Sequence, residues 1–109
     1  MNWKHLTQED EVEAIITDSQ TKPQLIFKHS TRCSISSMAK SRLEREWNLD
    51  TVSAWYLDLI TYRNISNFIE HRLNLRHESP QAILIENGEV KYHASHNAMS
   101  IDDITKALP

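Results

Sequence analysis

The chain contains one cysteine, Cys33, within the stretch "FKHSTRCSIS" that runs from Phe27 to Ser36. A lone thiol cannot close an internal disulfide, and it cannot supply the thiolate pair of a zinc ribbon. It is either an inert small apolar residue or a reagent that works on thiols and disulfides outside the chain. Its neighbours favour the reagent: Thr31, Arg32, Ser34 and Ser36 are all polar, whereas a structural cysteine belongs in mid-strand or on a core helix face. An apolar run precedes the stretch and a helical pattern follows it, which puts Cys33 in the first turn of a helix just past a strand. Unpaired backbone N–H groups and the positive end of the helix dipole favour an anion there, so the thiol is set up to react as a thiolate. His29 could assist if charged, although a histidine that ends a strand is also an ordinary packing residue.

Positioning such a thiol requires a scaffold, and 109 residues suffice for one domain, 1–109, with a single core and no metal or disulfide staple. The first helix signal opens at Thr7, a candidate cap, with Glu9, Asp10 and Glu11 in its first turn and Val12, Ile15 and Ile16 on one face. It should end near Gln20. Residues 24–29 read as a strand buried on both faces of a parallel sheet. A second helix follows, with Ile35, Met38, Ala39, Leu43 and Trp47 at helical spacing as its core stripe. Residues 52–60 form the second strand candidate. In the third helix Asn64 can cap, and Ile65, Phe68, Ile69 and Leu73 make the stripe. Pro80 precedes a strand over 81–86, Asn87-Gly88 supplies a two-residue hairpin turn, and 89–94 returns. Ser100 caps a last helix with Asp102 and Asp103 in its first turn. The order α-β-α-β-α-β-β-α predicts a four-stranded mixed sheet flanked by helices, an α/β arrangement of the thioredoxin-like kind.

Charge and composition narrow the partners. A net charge of −3, with no basic run longer than a pair, lacks the electrostatic footprint of phosphate-backbone binding, so nucleic acid is not expected. The apolar runs are too short to span a bilayer and the N-terminal stretch has no signal-peptide core, which implies no membrane association and a cytoplasmic location. Among the six histidines, His93 and His96 would point to opposite faces of a strand, and His71 and His77 have no carboxylate partner at ligand spacing, so no metal is expected. Met38, Trp47 and Trp55 read as core. Gly88 is the only glycine, which excludes a phosphate-cradling glycine loop, and no local signature marks a catalytic triad.

The lead-in Lys28-His29-Ser30-Thr31, the cysteine followed three residues later by Ser36, and the tail "SPQAILIENGEVKYHASH" together resemble the monothiol bacilliredoxin family of the YtxJ type, across essentially the whole chain. The resemblance implies a thioredoxin-like fold whose cysteine removes small thiols from protein mixed disulfides. It makes Cys33 the nucleophile and bacillithiol, or a similar small thiol, the co-substrate, with no bound cofactor and with S-thiolated client proteins as partners. Ser36 stands where dithiol relatives carry the resolving cysteine, so the reaction must pause at a mixed disulfide until an outside thiol arrives. Alternatively, Ser36 is a plain exposed helix residue.

The resemblance also makes Pro80 a cis proline beside the cysteine, with Ser79 before it facing the substrate; without it Pro80 reads as a strand-start proline. Arg32 either pairs with the carboxylates of an anionic small thiol or is a solvated loop residue. Thr31 caps or orients the loop. The chain departs from the family at Ser34, where proline is usual; serine preorganises a helix start less well but can offer a hydroxyl to the sulfur. A monothiol oxidoreductase is therefore expected. A passive thioredoxin-like binding module, or an iron–sulfur carrier in which Cys33 and a small thiol hold a bridging cluster, are the alternatives.

Overall fold

The computed structural model describes residues 1–109 apart from the Asn97 side chain. Its elements are β1 (Trp3–His5), α1 (Glu9–Asp18), β2 (Gln24–His29), α2 (Ser34–Glu46), β3 (Ser53–Asp58), α3 (Arg63–Leu73), β4 (Gln81–Glu86), β5 (Glu89–Ser95), a 3-10 turn at His96–Ala98 and α4 (Ile101–Ala107). The five strands form one sheet in the order β1-β3-β2-β4-β5. Strand β2 runs parallel to β3 and antiparallel to β4, and all six of its residues are buried, as expected of an inner strand covered on both faces.

Alternation along β2 builds two cores. Leu25 and Phe27 face Ala39 and Leu43 of α2 and Ile101 and Ile104 of α4. Ile26 faces the other way, with Val12 and Ile15 of α1 and Ile65 and Ile69 of α3. The hairpin between β4 and β5 turns through Asn87 and Gly88, both at positive φ, 53° and 77°, which a two-residue turn of this kind demands. Ser100 caps α4 by accepting the Asp103 N–H at 3.0 Å.

Several expectations are corrected. The sheet has five strands, because Trp3–His5 adds a short parallel edge to β3; the Trp3 ring lies tilted against Phe27 and donates from Nε1 to Glu44 Oε2 of α2 at 2.7 Å. Helix α1 starts at Glu9 behind Gln8, so Thr7 is not the cap; the Glu11 carboxylate accepts both the Thr7 and Gln8 N–H groups. Asn64 lies inside α3, and Asp58 Oδ1 takes the Ile60 and Thr61 N–H groups ahead of that helix. The buried face of α2 is Ser36, Ala39 and Leu43, whereas Ile35 and Met38 are 48% and 72% exposed. Near the helix start the inward positions are the small Ser36 and Ala39, and the larger Ile35 and Met38 are turned outward. Trp47 and Trp55 are half-buried at the margins of the two cores.

Candidate active site

Strand β2 ends at His29, and the chain reverses through the turn 30–33, where Cys33 N–H donates to the Ser30 carbonyl at 3.2 Å. Cys33 is the N-cap of α2, with extended backbone at φ −114° and ψ 120°. Its carbonyl accepts the Ser37 N–H at 3.1 Å, so the N–H groups of Ser34, Ile35 and Ser36 come before the first intrahelical bond and leave the positive end of α2 open beside the thiol. Cys33 is half-buried and its thiol is free. The cysteine expected inside the first turn thus stands one position ahead of it, at the N-cap, with no capping hydrogen bond from its side chain. Thr31 is exposed in the turn and is not the cap; Arg32 beside it and Ser34 at the first helical position are exposed too.

Ser36 has no exposed surface. Its Oγ accepts the Ser30 N–H at 3.0 Å and lies 2.7 Å from His29 Nδ1. With one lone pair taken by Ser30, the hydroxyl is free to donate to a neutral His29. The hydroxyl therefore ties the helix start to the strand end from behind the cysteine, rather than meeting solvent or substrate. His29 is 5% exposed and lies close to the rings of Phe27 and Tyr56. Burial, reinforced by the charge of Lys40, pushes its pKa down against the opposing pull of Asp58 and Glu44. Its ring packs and hydrogen-bonds inside the fold, in surroundings that disfavour the charged form. Ser36→Ala removes the hydroxyl and leaves the Ser30 N–H and His29 Nδ1 without it; the expected loss is about 2 kcal/mol, read by urea unfolding. A stability within 0.5 kcal/mol of wild type would contradict this role, since ordinary surface changes fall within about that range.

Ser79–Pro80 is a cis peptide bond. Pro80 is buried and Ser79 half-buried, and the Ser79 Oγ has no hydrogen-bond partner among the described residues. Gln81 pairs with Lys28 across β2 and β4, so Pro80 enters the sheet at the end where β2 delivers the turn carrying Cys33. The register thus brings the two segments named by the sequence to one end of the sheet.

A second cluster escaped sequence reading. Lys28 points to the α3 side of β2 and is fully buried. Its Nζ lies 3.1 Å from His77 Nδ1, with Ser66 Oγ of α3 at 3.2 Å from the same nitrogen. The His77 backbone N–H donates to Glu70 Oε2 at 2.7 Å, so this histidine does meet a carboxylate, through its main chain. Burial pushes the Lys28 pKa down to about 8, with Glu70 opposing; burial and then the Lys28 charge lower that of His77. The signal was available: a lysine inside a run buried on both faces must find a partner.

Comparisons place this arrangement. A sequence profile described as monothiol bacilliredoxin BrxC matches residues 4–104. A structure described as a candidate oxidoreductase with a thioredoxin fold is 28% identical, with a TM-score of 0.82 over 94% of this chain and 90% of that one. The oxidised mitochondrial thioredoxin 3 of Saccharomyces cerevisiae is 18% identical, with a TM-score of 0.73 over 97% and 95%. Thioredoxin from Trypanosoma brucei brucei is 14% identical, also at 0.73, over 96% and 92%. At the last two identities the likeness is one of fold. Among the described residues no helix is long and apolar enough to cross a membrane. The match along nearly the whole chain, with its one cysteine at the start of α2, makes this protein a member of the monothiol bacilliredoxin family, an oxidoreductase of the thioredoxin type.

Proposed function

We propose that the protein removes bacillithiol, or a similar small thiol, from S-thiolated proteins in the cytoplasm. The observation that carries this reading is the chain's only cysteine at the open N-terminus of α2, with a buried serine at the position of a resolving thiol. The Cys33 thiolate attacks the small-thiol sulfur of the protein mixed disulfide. A bond forms between Cys33 and that sulfur, the protein sulfur leaves as a thiolate and takes up a proton, and no net oxidation occurs. A second small-thiol thiolate then attacks the adducted sulfur, yielding the small-molecule disulfide and free Cys33. Ser36 cannot perform that second attack, which is why an external thiol is needed. The small thiol serves as co-substrate and no resident cofactor takes part.

In this reading the turn 30–33 and the segment around Pro80 flank the substrate disulfide. Thr31 and Ser34 offer hydroxyls along its path, Ser79 offers its backbone, and the buried Ser36 holds the turn in place. Arg32 meets the carboxylates of the small thiol. Arg32→Gln is then expected to slow reaction with a bacillithiol adduct about fivefold, the modest effect of one exposed charge-assisted contact. Reaction with the neutral 2-mercaptoethanol adduct of the same protein should stay within about twofold of wild type. Release rates of the two adducts check this. Equal slowing of both would remove Arg32 from small-thiol recognition.

A further inference from the structure

Resting on the oxidoreductase reading, we infer that the outward stripe of α2 formed by Ile35, Met38, Arg42 and Arg45 docks an acidic, apolar-anchored segment of the S-thiolated protein. These residues recur at helical spacing and share one face. Met38 at 72% and Ile35 at 48% exposure are the most exposed large hydrophobic side chains described. With Ala39, Arg42 and Arg45 they line a groove of about 260 Å³. A methionine in such a groove adapts to apolar side chains of different shapes.

Charge selects the occupant. The chain as a whole is acidic, with 15 Asp and Glu against 12 Lys and Arg, yet this stripe carries Arg42 and Arg45, and Arg32 stands at its head. Among the described residues neither Arg32 nor Arg45 forms an ion pair. Arg42 is held at the groove edge by its Nη2 donating to the Met99 carbonyl at 3.3 Å. Of the carboxylates at this end of the helix, Glu44 is bound to Lys40 and Trp3, and Glu46, one turn beyond Arg42, lines with it the adjoining hollow toward Met99 and Ser100, which leaves Arg32 and Arg45 as the cations open to an acidic partner. A polypeptide with an apolar side chain flanked by Asp or Glu complements this surface.

The stripe is also continuous with the nucleophile, because α2 begins immediately after Cys33. From its first residue to Arg45 the helix rises about 16 Å, at roughly 1.5 Å per residue. About five residues of extended chain cover that distance. A client would thus be read by the few residues beside its modified cysteine, while a small-molecule disulfide has nothing to place there.

The test uses two peptides that carry the same bacillithiolated cysteine, one followed by Asp, Glu and Leu within five residues, the other by Lys and Ser. Wild type should dethiolate the acidic peptide about tenfold faster than the basic one, a preference that weakens with added salt. The double variant Met38→Gln and Arg45→Glu should lose that preference and keep its rate toward the bacillithiol–2-mercaptoethanol disulfide within about twofold. Equal wild-type rates for both peptides, or a preference that survives in the double variant, would overturn docking. Failure to react with either peptide or with the small disulfide would instead strike at the oxidoreductase reading. Sedimentation showing a dimer that this double variant dissolves would assign the stripe to a second copy of the chain, and would also overturn the inference.

Discussion

Cys33→Ser is expected to fold as the wild type does and to lose dethiolation of protein mixed disulfides by about a thousandfold or more, as removal of a nucleophile does. The chain holds no other cysteine to take over. The hydroxyl that replaces the thiol is a far weaker nucleophile toward sulfur at neutral pH, and it has no route to a stable mixed disulfide. The fold is expected to survive because the substituted position is the N-cap of α2. Serine is among the best residues there, its oxygen accepting an N–H of the first turn. The melting temperature should therefore be unchanged or slightly raised while release of the small thiol falls to background. A variant that melts with wild type and still turns over would remove Cys33 from the chemistry.

Lys28→Met should stabilise the protein near pH 7 and flatten its pH dependence. In the unfolded chain the lysine ionises near 10.5, whereas burial in the fold brings it to about 8. Between those values the unfolded chain holds a proton that the folded chain lacks, so stability rises with pH across that window; below about pH 8 both states are protonated and the cost of the buried charge is constant. The difference corresponds to a cost on the order of 3 kcal/mol at pH 7. Methionine fills a similar volume without a charge, and Ser66 still faces His77 Nδ1. Allowing for the lost contact with His77, the variant should gain about 1–3 kcal/mol at pH 7. That advantage should shrink as pH approaches 10. Chemical denaturation of both proteins at pH 7, 9 and 10 reads the difference directly. A variant less stable than wild type by the same amount at every pH would mean that Lys28 acts through packing or pairing and not through its buried charge.

Much of the fold was legible because local signals agreed with tertiary placement. Strands β2 and β4 carry apolar runs, introduced by Pro23 and Pro80, and Asn87-Gly88 supplied the positive φ values that the hairpin requires. Other features needed the third dimension. Trp3–His5 spans three residues with two of them exposed, too short for any period, and becomes a strand only by pairing with β3. Of the stripe on α2, Ala39 and Leu43 are buried but Ile35 and Met38 are not, because periodicity weighs hydrophobicity, whereas the inward position near the helix start is taken by Ser36, held by its hydrogen bonds. Asn64 has the right chemistry for a cap, but Asp58 already satisfied the N–H groups ahead of α3.

The site divides in the same way. Cys33 was singled out by its place between a strand and a helix, the Ser79–Pro80 segment by the family resemblance alone, and the sheet register brings the two to one end. The hydrogen bonds of Ser36 to Ser30 and His29 link residues six and seven positions apart through a turn whose shape the residue types do not dictate. Lys28 and His77 are 49 positions apart, and only the packing of α3 against the sheet brings them together.

Intact-mass analysis tests the central claim most directly. The protein is mixed at neutral pH with a model protein carrying a bacillithiol mixed disulfide, alongside Cys33→Ser and parallel glutathione and cysteine adducts. The account predicts that wild type gains the mass of one bacillithiol on Cys33 as the model protein is released with a free thiol, and that Cys33→Ser gains none. Retention of the adduct by the model protein, with every donor and with wild type unmodified, would contradict it.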